Sequence, residues 1–162
     1  MTFYVIIRGP LGCGKSTISK NLAMKLNAKY FSVDGVLEEY KLTKDKEDGY
    51  VSQKSFKKVN EIVASEAEQK LDAGTMVVFD GNFYWKSQID DLISRLDYPH
   101  YVFTLKAPLN LCITRDKERI HTHGEGAAEA VYKKSTGFEY GTIIDVTKPL
   151  QECIDEIMTY LP

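Results

Sequence analysis

A glycine-rich segment near the N-terminus constrains the fold of this chain more than any other part of its sequence. Residues 9–16 read Gly-Pro-Leu-Gly-Cys-Gly-Lys-Ser, which matches the pattern G-x-x-x-x-G-K-[ST]. The segment directly follows residues 3–7, an apolar, β-branched run typical of a buried strand. It opens a stretch with apolar residues four apart, which predicts an amphipathic helix over residues 15–27. The pattern therefore stands in the strand–loop–helix context that gives it structural meaning.

The physical chemistry of this segment indicates phosphate binding. Glycines let the backbone curl so that consecutive N–H groups point inward at phosphate oxygens, and the helix N-terminus adds its positive dipole end. We expect Lys15 to reach the β- and γ-phosphates of ATP, and the Ser16 hydroxyl to coordinate Mg²⁺. A glycine-rich turn with a chance lysine is the alternative, and the flanking strand and helix disfavour it. The predicted nucleotide-binding residues are Gly9, Pro10, Leu11, Gly12, Cys13, Gly14, Lys15, Ser16 and Thr17.

Short apolar runs alternate with helical patterns along the rest of the chain. This alternation predicts one α/β domain over residues 1–162, with a five-stranded parallel sheet and helices on both faces. In such sheets ligands bind beyond the carboxyl ends of the strands. The remaining strands are predicted at residues 30–33, 76–79, 101–105 and 142–146, and the main helices at 53–72, 89–96, 109–120 and from residue 150 onward. The charged segment 41–48 is expected to be a mobile excursion over the active edge, and a solvated loop is the alternative.

Two carboxylates are predicted to follow strands at this edge. Asp34 follows the second strand, where it can accept the proton of a substrate hydroxyl that attacks the γ-phosphate. The alternative is that Asp34 caps a helix over residues 36–40. Asp80 follows a fully apolar strand, where a carboxylate typically holds Mg²⁺, although Asp-Gly is also a common turn pair. Because a metal-bound carboxylate is a poor base, Asp34 is the favoured base, while either residue can approach the acceptor.

Four further residues complete the predicted site. Asn82 is expected to hydrogen-bond the substrate, and Phe83 begins an aromatic run that either forms a substrate wall or packs beneath a helix start. Arg115 and Arg119 lie four apart on a predicted helix, where guanidinium groups can neutralise charge on the transferring phosphoryl group. Surface pairing with neighbouring acidic residues is the alternative. We expect these arginines to belong to a lid at about residues 107–135.

Charge and composition exclude several classes of protein. The formal net charge of −2 and the pI near 5.9 argue against non-specific binding to nucleic acid or a membrane surface. The longest clean apolar run, residues 3–7, is far shorter than the roughly 20 residues that span a bilayer. No secretory signal pattern is present, and the three widely spaced cysteines indicate reduced thiols, so we expect a cytoplasmic location. The sequence predicts no particular oligomeric state.

Taken together, the phosphate loop, Asp34, residues 77–82 and residues 107–119 resemble the small P-loop kinases. The order of motifs is similar to that of zeta-toxin-related kinases, the kinase domain of polynucleotide kinase and chloramphenicol phosphotransferase, and more distantly to shikimate and gluconate kinases. The resemblance covers almost the whole chain and includes residues 143–152, which look like the segment that flanks adenine. It departs at Leu37, where zeta-toxin and polynucleotide-kinase relatives often carry an arginine.

The resemblance implies a P-loop NTPase fold and transfer of the ATP γ-phosphate, with Mg²⁺, to a hydroxyl of a small-molecule or nucleoside/nucleotide-like acceptor. It also implies that Asp34 is the base and Arg115 a lid arginine. Two alternatives stay open: a non-kinase regulatory NTPase and a nucleic-acid-end kinase. The absence of an Asn-Lys-x-Asp motif and the glycine after Asp80 disfavour the first, and the acidic balance disfavours the second.

Overall fold

Five parallel strands form the central sheet in a computed structural model that describes residues 1–117 and 126–162. In chain order the strands and helices are β1 (Tyr4–Arg8), α1 (Lys15–Leu26), β2 (Lys29–Ser32), α2 (Val33–Glu39), β3 (Lys46–Glu47), β4 (Tyr50–Val51), α3 (Gln53–Asp72), β5 (Val77–Gly81), α4 (Lys86–Arg95), β6 (His100–Lys106), α5 (Leu109–Lys117), α6 (Ala127–Ser135), β7 (Thr142–Asp145) and α7 (Leu150–Thr159).

The strands lie in the order β2-β5-β1-β6-β7, so β1 is central and every residue of it is buried. All pairings in this sheet are parallel, and Ile7 of β1 lies between Asp80 of β5 and Phe103 of β6. The carboxyl ends of the strands therefore meet at one edge. The phosphate loop leaves β1 at this edge, and Asp80 reaches the same edge on the neighbouring strand.

Helices cover both faces of the sheet. On one face α3 and α4 pack Phe56, Val59 and Leu92 into the core, and on the other α1 and α7 contribute Leu22 and Ile157. The predicted α/β fold with a five-stranded parallel sheet and helices on both faces is confirmed. None of the helices in the described ranges is long and apolar enough to cross a membrane.

Local structure differs from the prediction at the end of the second strand. β2 ends at Ser32, and Asp34 lies in the first turn of α2 rather than at a strand end. The hydroxyl of Ser32 accepts the N–H of Gly35 at 3.2 Å and so caps α2. Both sequence-based placements of Asp34, as strand end and as helix cap, are therefore wrong. Because the serine takes the capping position, the carboxylate of Asp34 is left for other contacts.

The segment 41–48, expected to be an excursion or a solvated loop, contains the first strand of a hairpin. β3 and β4 pair antiparallel around Asp48 and Gly49, which both have positive φ (54° and 84°). Two adjacent residues with positive φ are what a tight two-residue hairpin turn requires, and Asp-Gly is a favoured pair for it. The hairpin carries Tyr50 and Val51 to the active edge, where both contact the loop after β5.

A buried arginine links the sheet to the C-terminal part of the fold. The Arg8 side chain is fully buried and donates hydrogen bonds to the carbonyl of Phe83, the hydroxyl of Thr104 and the carbonyl of Ser135 at 2.7–3.2 Å. Its guanidinium also lies 4.3 Å from the ring centroid of Phe138. Burial lowers the pKa of Arg8 to about 10, so the group remains charged at neutral pH. Arg8 thus joins β1, β6 and the loop after β5 to the end of α6.

We expect Arg8→Leu to lower the free energy of unfolding by about 3 kcal/mol or more, because it removes charged hydrogen bonds and leaves buried carbonyls without donors. Urea denaturation of the two proteins measures this difference. Arg95→Leu is the matched control: Arg95 is a surface arginine paired with Asp91 on the same helix, and its loss should cost under about 1 kcal/mol. Equal losses in the two variants would contradict the structural role of Arg8.

Candidate active site

The phosphate loop is a tight turn pressed against α5. Gly12 and Gly14 have φ of 77° and 91°, the left-handed region that favours glycine. A Cβ on Gly12 would lie 2.1 Å from the carbonyl oxygen of Cys112, so no side chain fits at this position. Gly14 is the N-cap of α1 and supplies no side-chain cap. Because the first N–H groups of a helix lack intrahelical partners, this end of α1 is suited to an anion.

Lys15 lies folded over this loop. Its side chain is only 6% exposed, and its ammonium lies 3.4 Å from the carbonyl oxygen of Pro10. Ser16 is half-buried and Thr17 is exposed at the start of α1. The predicted nucleotide-binding residues thus form one continuous turn, with the ammonium held beside the Pro10 carbonyl rather than in an ion pair with a described carboxylate.

Asp80 at the end of β5 is held by a tyrosine that sequence analysis did not identify. The hydroxyl of Tyr30 donates to Oδ2 of Asp80 at 2.6 Å. Burial and this bond raise the pKa of Tyr30, whereas hydrogen bonds with Ser16 and Ser32 act in the opposite direction. The Tyr30 hydroxyl therefore binds Asp80 and lies close enough to Ser16 for that side chain to lower its pKa. A signal was available: Tyr30 and Ser32 alternate with the buried Phe31 along β2 and so lie on the opposite face of the strand.

The side chains of Ser16 and Asp80 fit a magnesium ion. They bring one hydroxyl and one carboxylate to a common neighbour, Tyr30, beside the phosphate loop. Mg²⁺ prefers such oxygen ligands and usually takes only one or two from protein, with phosphates and water supplying the rest. Among the described residues, no group of three or more His, Cys, Asp or Glu side chains is arranged to hold a metal ion. This donor set therefore suits a metal that arrives with a nucleotide.

Asp34 lies next to this pair but has a different environment. Its Oδ2 accepts the backbone N–H of Asn82 at 3.0 Å, which ties the start of α2 to the loop after β5. The side chain is half-buried. Oδ1 of Asn82 is buried without a hydrogen-bond partner in the described part of the chain. A carboxylate and an unsatisfied amide oxygen thus lie together beside the phosphate loop.

Of the three aromatic residues after Asn82, one lies in the core and two contact the β3–β4 hairpin. Phe83 is fully buried, with φ of 45°, and its ring packs in the apolar core with Tyr4 and Phe79. This placement favours packing over a substrate wall for Phe83. Tyr84 is 6% exposed and Trp85 half-buried, and both contact the β3–β4 hairpin.

One of the two predicted lid arginines approaches the phosphate loop. Arg115 is half-buried on α5, and its Nη1 donates to the carbonyl of Cys13 at 3.4 Å. Arg119 lies outside the described residues. Lys15 and Arg115 thus bring two positive charges to the same loop.

A cavity of about 310 Å³ opens beside the phosphate loop. Residues of the loop and the first turns of α1 form one side, and Arg115 and the segment between β7 and α7 form the other. Lys148 on that segment makes an ion pair with Glu156 at 2.7 Å. The residues lining the cavity are Gly12, Cys13, Gly14, Thr17, Ile18, Arg115, Val146, Lys148, Leu150 and Cys153.

Comparison with known proteins gives a consistent set of similarities. Residues 5–137 match the family AAA_33, described as an AAA domain. A shikimate kinase of Actinobacillus succinogenes is 26% identical over 161 residues, which cover 95% of this chain and 89% of that protein.

Two solved structures share the fold over nearly the full chain. A sugar kinase from Janibacter sp. superposes with a TM-score of 0.81 at 17% identity, covering 99% of this chain and 95% of that one. A gluconokinase from Sinorhizobium meliloti gives 0.73 at 17% identity, with coverage of 96% and 89%. At such identities these likenesses establish the fold, and they confirm the P-loop kinase architecture predicted from the sequence.

Proposed function

This chain belongs to the AAA domain family AAA_33, and we propose that it is a kinase that transfers the γ-phosphate of ATP to a hydroxyl of a small-molecule or nucleoside/nucleotide-like acceptor. The observation that carries the proposal is that two carboxylates at the same edge of the sheet have different hydrogen-bond partners. Tyr30 donates a hydrogen bond to Asp80 and has its pKa influenced by Ser16, whereas Asp34 accepts the backbone N–H of Asn82. One carboxylate suits a metal, and the other suits an acceptor hydroxyl.

In the proposed complex the phosphates of ATP lie on the N–H groups of the phosphate loop, with the Lys15 ammonium turned from the Pro10 carbonyl toward the β- and γ-phosphates. The adenine of ATP would occupy the cavity between the phosphate loop and Val146. This cavity supports the adenine position that the resemblance implies. Ser16 and Asp80 would hold Mg²⁺, which neutralises phosphate charge when bound. The proposed cofactors are therefore ATP and Mg²⁺.

Asp34 would act as the base of the transfer. The acceptor oxygen bonds to the γ-phosphorus as its proton passes to the Asp34 carboxylate, and the bond between the γ-phosphorus and the bridging oxygen breaks to release ADP. Arg115 would place its guanidinium against the charge that develops on the transferring group. Arg119 is proposed for the same role on the basis of sequence alone.

We also propose a cytoplasmic location for this reaction. Cys112 and Cys153 are buried thiols that take part in no disulfide. Burial raises the pKa of Cys112 to about 11, which keeps it a protonated thiol. Such unpaired thiols are typical of a reducing compartment.

A screen of ATP consumption tests the proposed function. Nucleosides, nucleotides, sugars and aminoglycoside-like alcohols are each incubated with protein, ATP and Mg²⁺, and phosphorylated products are detected by phosphorus NMR. A kinase gives acceptor-dependent ADP and a new phosphate ester. Phosphate release that no acceptor changes would instead indicate a hydrolytic regulatory NTPase. Phosphorylation confined to oligonucleotide ends, with strong salt dependence, would indicate a nucleic-acid-end kinase.

Asp80→Asn should raise the Mg²⁺ concentration that half-saturates nucleotide binding by about tenfold or more, because an amide oxygen is a weaker ligand for a hard cation than a carboxylate. Calorimetric titration of nucleotide at a series of Mg²⁺ concentrations measures this shift without any turnover. Asp34→Asn is the matched control and should leave the metal titration unchanged. If Asp34→Asn shows the shift and Asp80→Asn does not, the two roles are reversed.

A further inference from the structure

Three aromatic rings at the active edge surround a lysine ammonium. Lys134 of α6 places its Nζ 3.4 Å from the ring centroid of Trp85, 4.6 Å from that of Tyr50 and 6.0 Å from that of Tyr84. The ring planes of Tyr50 and Tyr84 meet at 63°, and those of Tyr84 and Trp85 at 73°. The rings therefore form walls rather than a stack. We call Tyr50, Tyr84 and Trp85 the aromatic box.

The charge of Lys134 is compensated by π-faces. None of the ion pairs between described residues includes this lysine. A cation over an aromatic face is stabilised by about 0.5–1 kcal/mol at exposed sites and by about 2 kcal/mol when desolvated. Several such faces around one point are the arrangement that recognises ammonium groups of ligands. The position of the lysine thus indicates that the box accepts an ammonium group.

The walls are fixed by contacts that do not involve Lys134. Nε1 of Trp85 donates to the carbonyl of Val51 at 2.8 Å, and the hydroxyl of Tyr84 accepts the N–H of Val51 at 3.1 Å. The hydroxyl of Tyr50 donates to the carbonyl of Ala130 at 3.1 Å. Since these bonds remain when the lysine turns away, the box is preformed, and a ligand would not have to order it.

The aromatic box lies on the side of the site where an acceptor is expected. Tyr84 and Trp85 follow Asn82 on the loop whose N–H binds Asp34. Burial, and then the nearby negative charge of Asp34, raise the pKa of Tyr84 to about 12 despite its hydrogen bond from Val51. The carboxylate proposed as base and one wall of the box are therefore electrostatic neighbours.

We propose that the aromatic box binds the ammonium group of a cationic acceptor, such as an amino alcohol or amino sugar, in the place that Lys134 holds in the free protein. This inference rests on the proposed function and narrows its acceptor class. Lys134 has a long, flexible side chain and is half-buried, so it can turn toward solvent when a ligand ammonium enters. With the ammonium in the box, the hydroxyl end of the acceptor would extend toward Asp34, which binds the loop that carries Tyr84 and Trp85.

The fluorescence of Trp85 reports directly on the box, because it is the only tryptophan in the chain. Choline is the probe, and 3,3-dimethylbutan-1-ol is its neutral counterpart of the same shape, with carbon in place of nitrogen. In Lys134→Ala we expect a saturable fluorescence change with choline and a Kd at least tenfold lower than in the wild type. The neutral alcohol should bind at least tenfold more weakly. Lys134→Gln, which keeps the chain length, is the second variant if Lys134→Ala does not fold.

Matched variants distinguish binding in the aromatic box from general effects of a substitution. Lys133→Ala removes the adjacent exposed lysine and should behave as the wild type. In the Lys134→Ala background, Tyr50→Phe keeps the ring and should retain choline binding, whereas Tyr50→Leu should lose it. Equal binding of choline and the neutral alcohol, or no saturable change in a folded Lys134 variant, would overturn the proposal.

These measurements contain no nucleotide, so they do not depend on kinase activity. A protein that binds choline in the box but transfers no phosphate would refute the proposed function and leave the cation site standing. A kinase that does not distinguish amino alcohols from their neutral counterparts would refute the proposed acceptor class alone. We expect kcat/KM to favour the amino alcohol by at least tenfold.

Discussion

Replacing Lys15 with alanine is expected to lower the rate of phosphoryl transfer by about a thousandfold or more while the protein stays folded. In the proposed complex the Lys15 ammonium lies against the γ-phosphate, and removing such a group typically costs several kcal/mol in the transition state. Stability should change little, because among the described residues the ammonium makes one hydrogen bond, to the Pro10 carbonyl at 3.4 Å. Turnover and thermal unfolding, measured on the same preparation, separate the two effects.

Lys57→Ala is the control for this prediction, since Lys57 is an exposed lysine on α3 that should not affect turnover. Residual activity of Lys15→Ala above about a tenth of the original would contradict the assignment of Lys15. A large loss of stability would instead mean that the lysine supports the loop rather than the reaction.

Asp34→Asn should reduce kcat by about two to four orders of magnitude with little change in ATP affinity, because an amide cannot accept the acceptor proton. Asparagine keeps an oxygen that can accept the N–H of Asn82, so the loop after β5 should retain its position. Initial rates over a range of ATP and acceptor concentrations, together with calorimetric ATP binding, measure the two quantities.

Asp48→Asn serves as the matched control. Asp48 is exposed in the hairpin turn, with φ of 54°, a conformation that asparagine also tolerates. Its replacement should leave kcat unchanged. The role of Asp34 would be disproved if its variant kept its kcat and lost ATP affinity instead.

The sequence predicted those parts of the molecule that depend on local patterns. The phosphate loop follows from glycine spacing, and the strand–helix alternation follows from apolar runs such as residues 3–7. α3 has the predicted bounds, 53–72, because Ser52 caps its start and its apolar positions recur at helical spacing. The β3–β4 hairpin had a local signal too, the Asp48–Gly49 pair, but its strands are only two residues long.

Other features depend on tertiary contacts that no local pattern records. Arg8 and Tyr30 stand in strands, and their roles arise from partners 50 to 127 residues away along the chain. The Lys134 ammonium lies over the Tyr50 ring of the aromatic box, and both residues belong to segments without any recognisable motif. Their meeting depends on the order of strands in the sheet and on where α6 packs, and neither can be derived from apolar periodicity.

The close packing of Gly12 against the carbonyl of Cys112 has a thermodynamic consequence. With no space between the phosphate loop and α5, the helix that carries Arg115 is docked before any nucleotide arrives. The conformational entropy of positioning this guanidinium is then lost once, during folding, and not again in every catalytic cycle. A larger share of the binding energy of the nucleotide therefore remains for its own affinity, and the position of the Arg115 backbone is set by a glycine 103 positions before it in the chain.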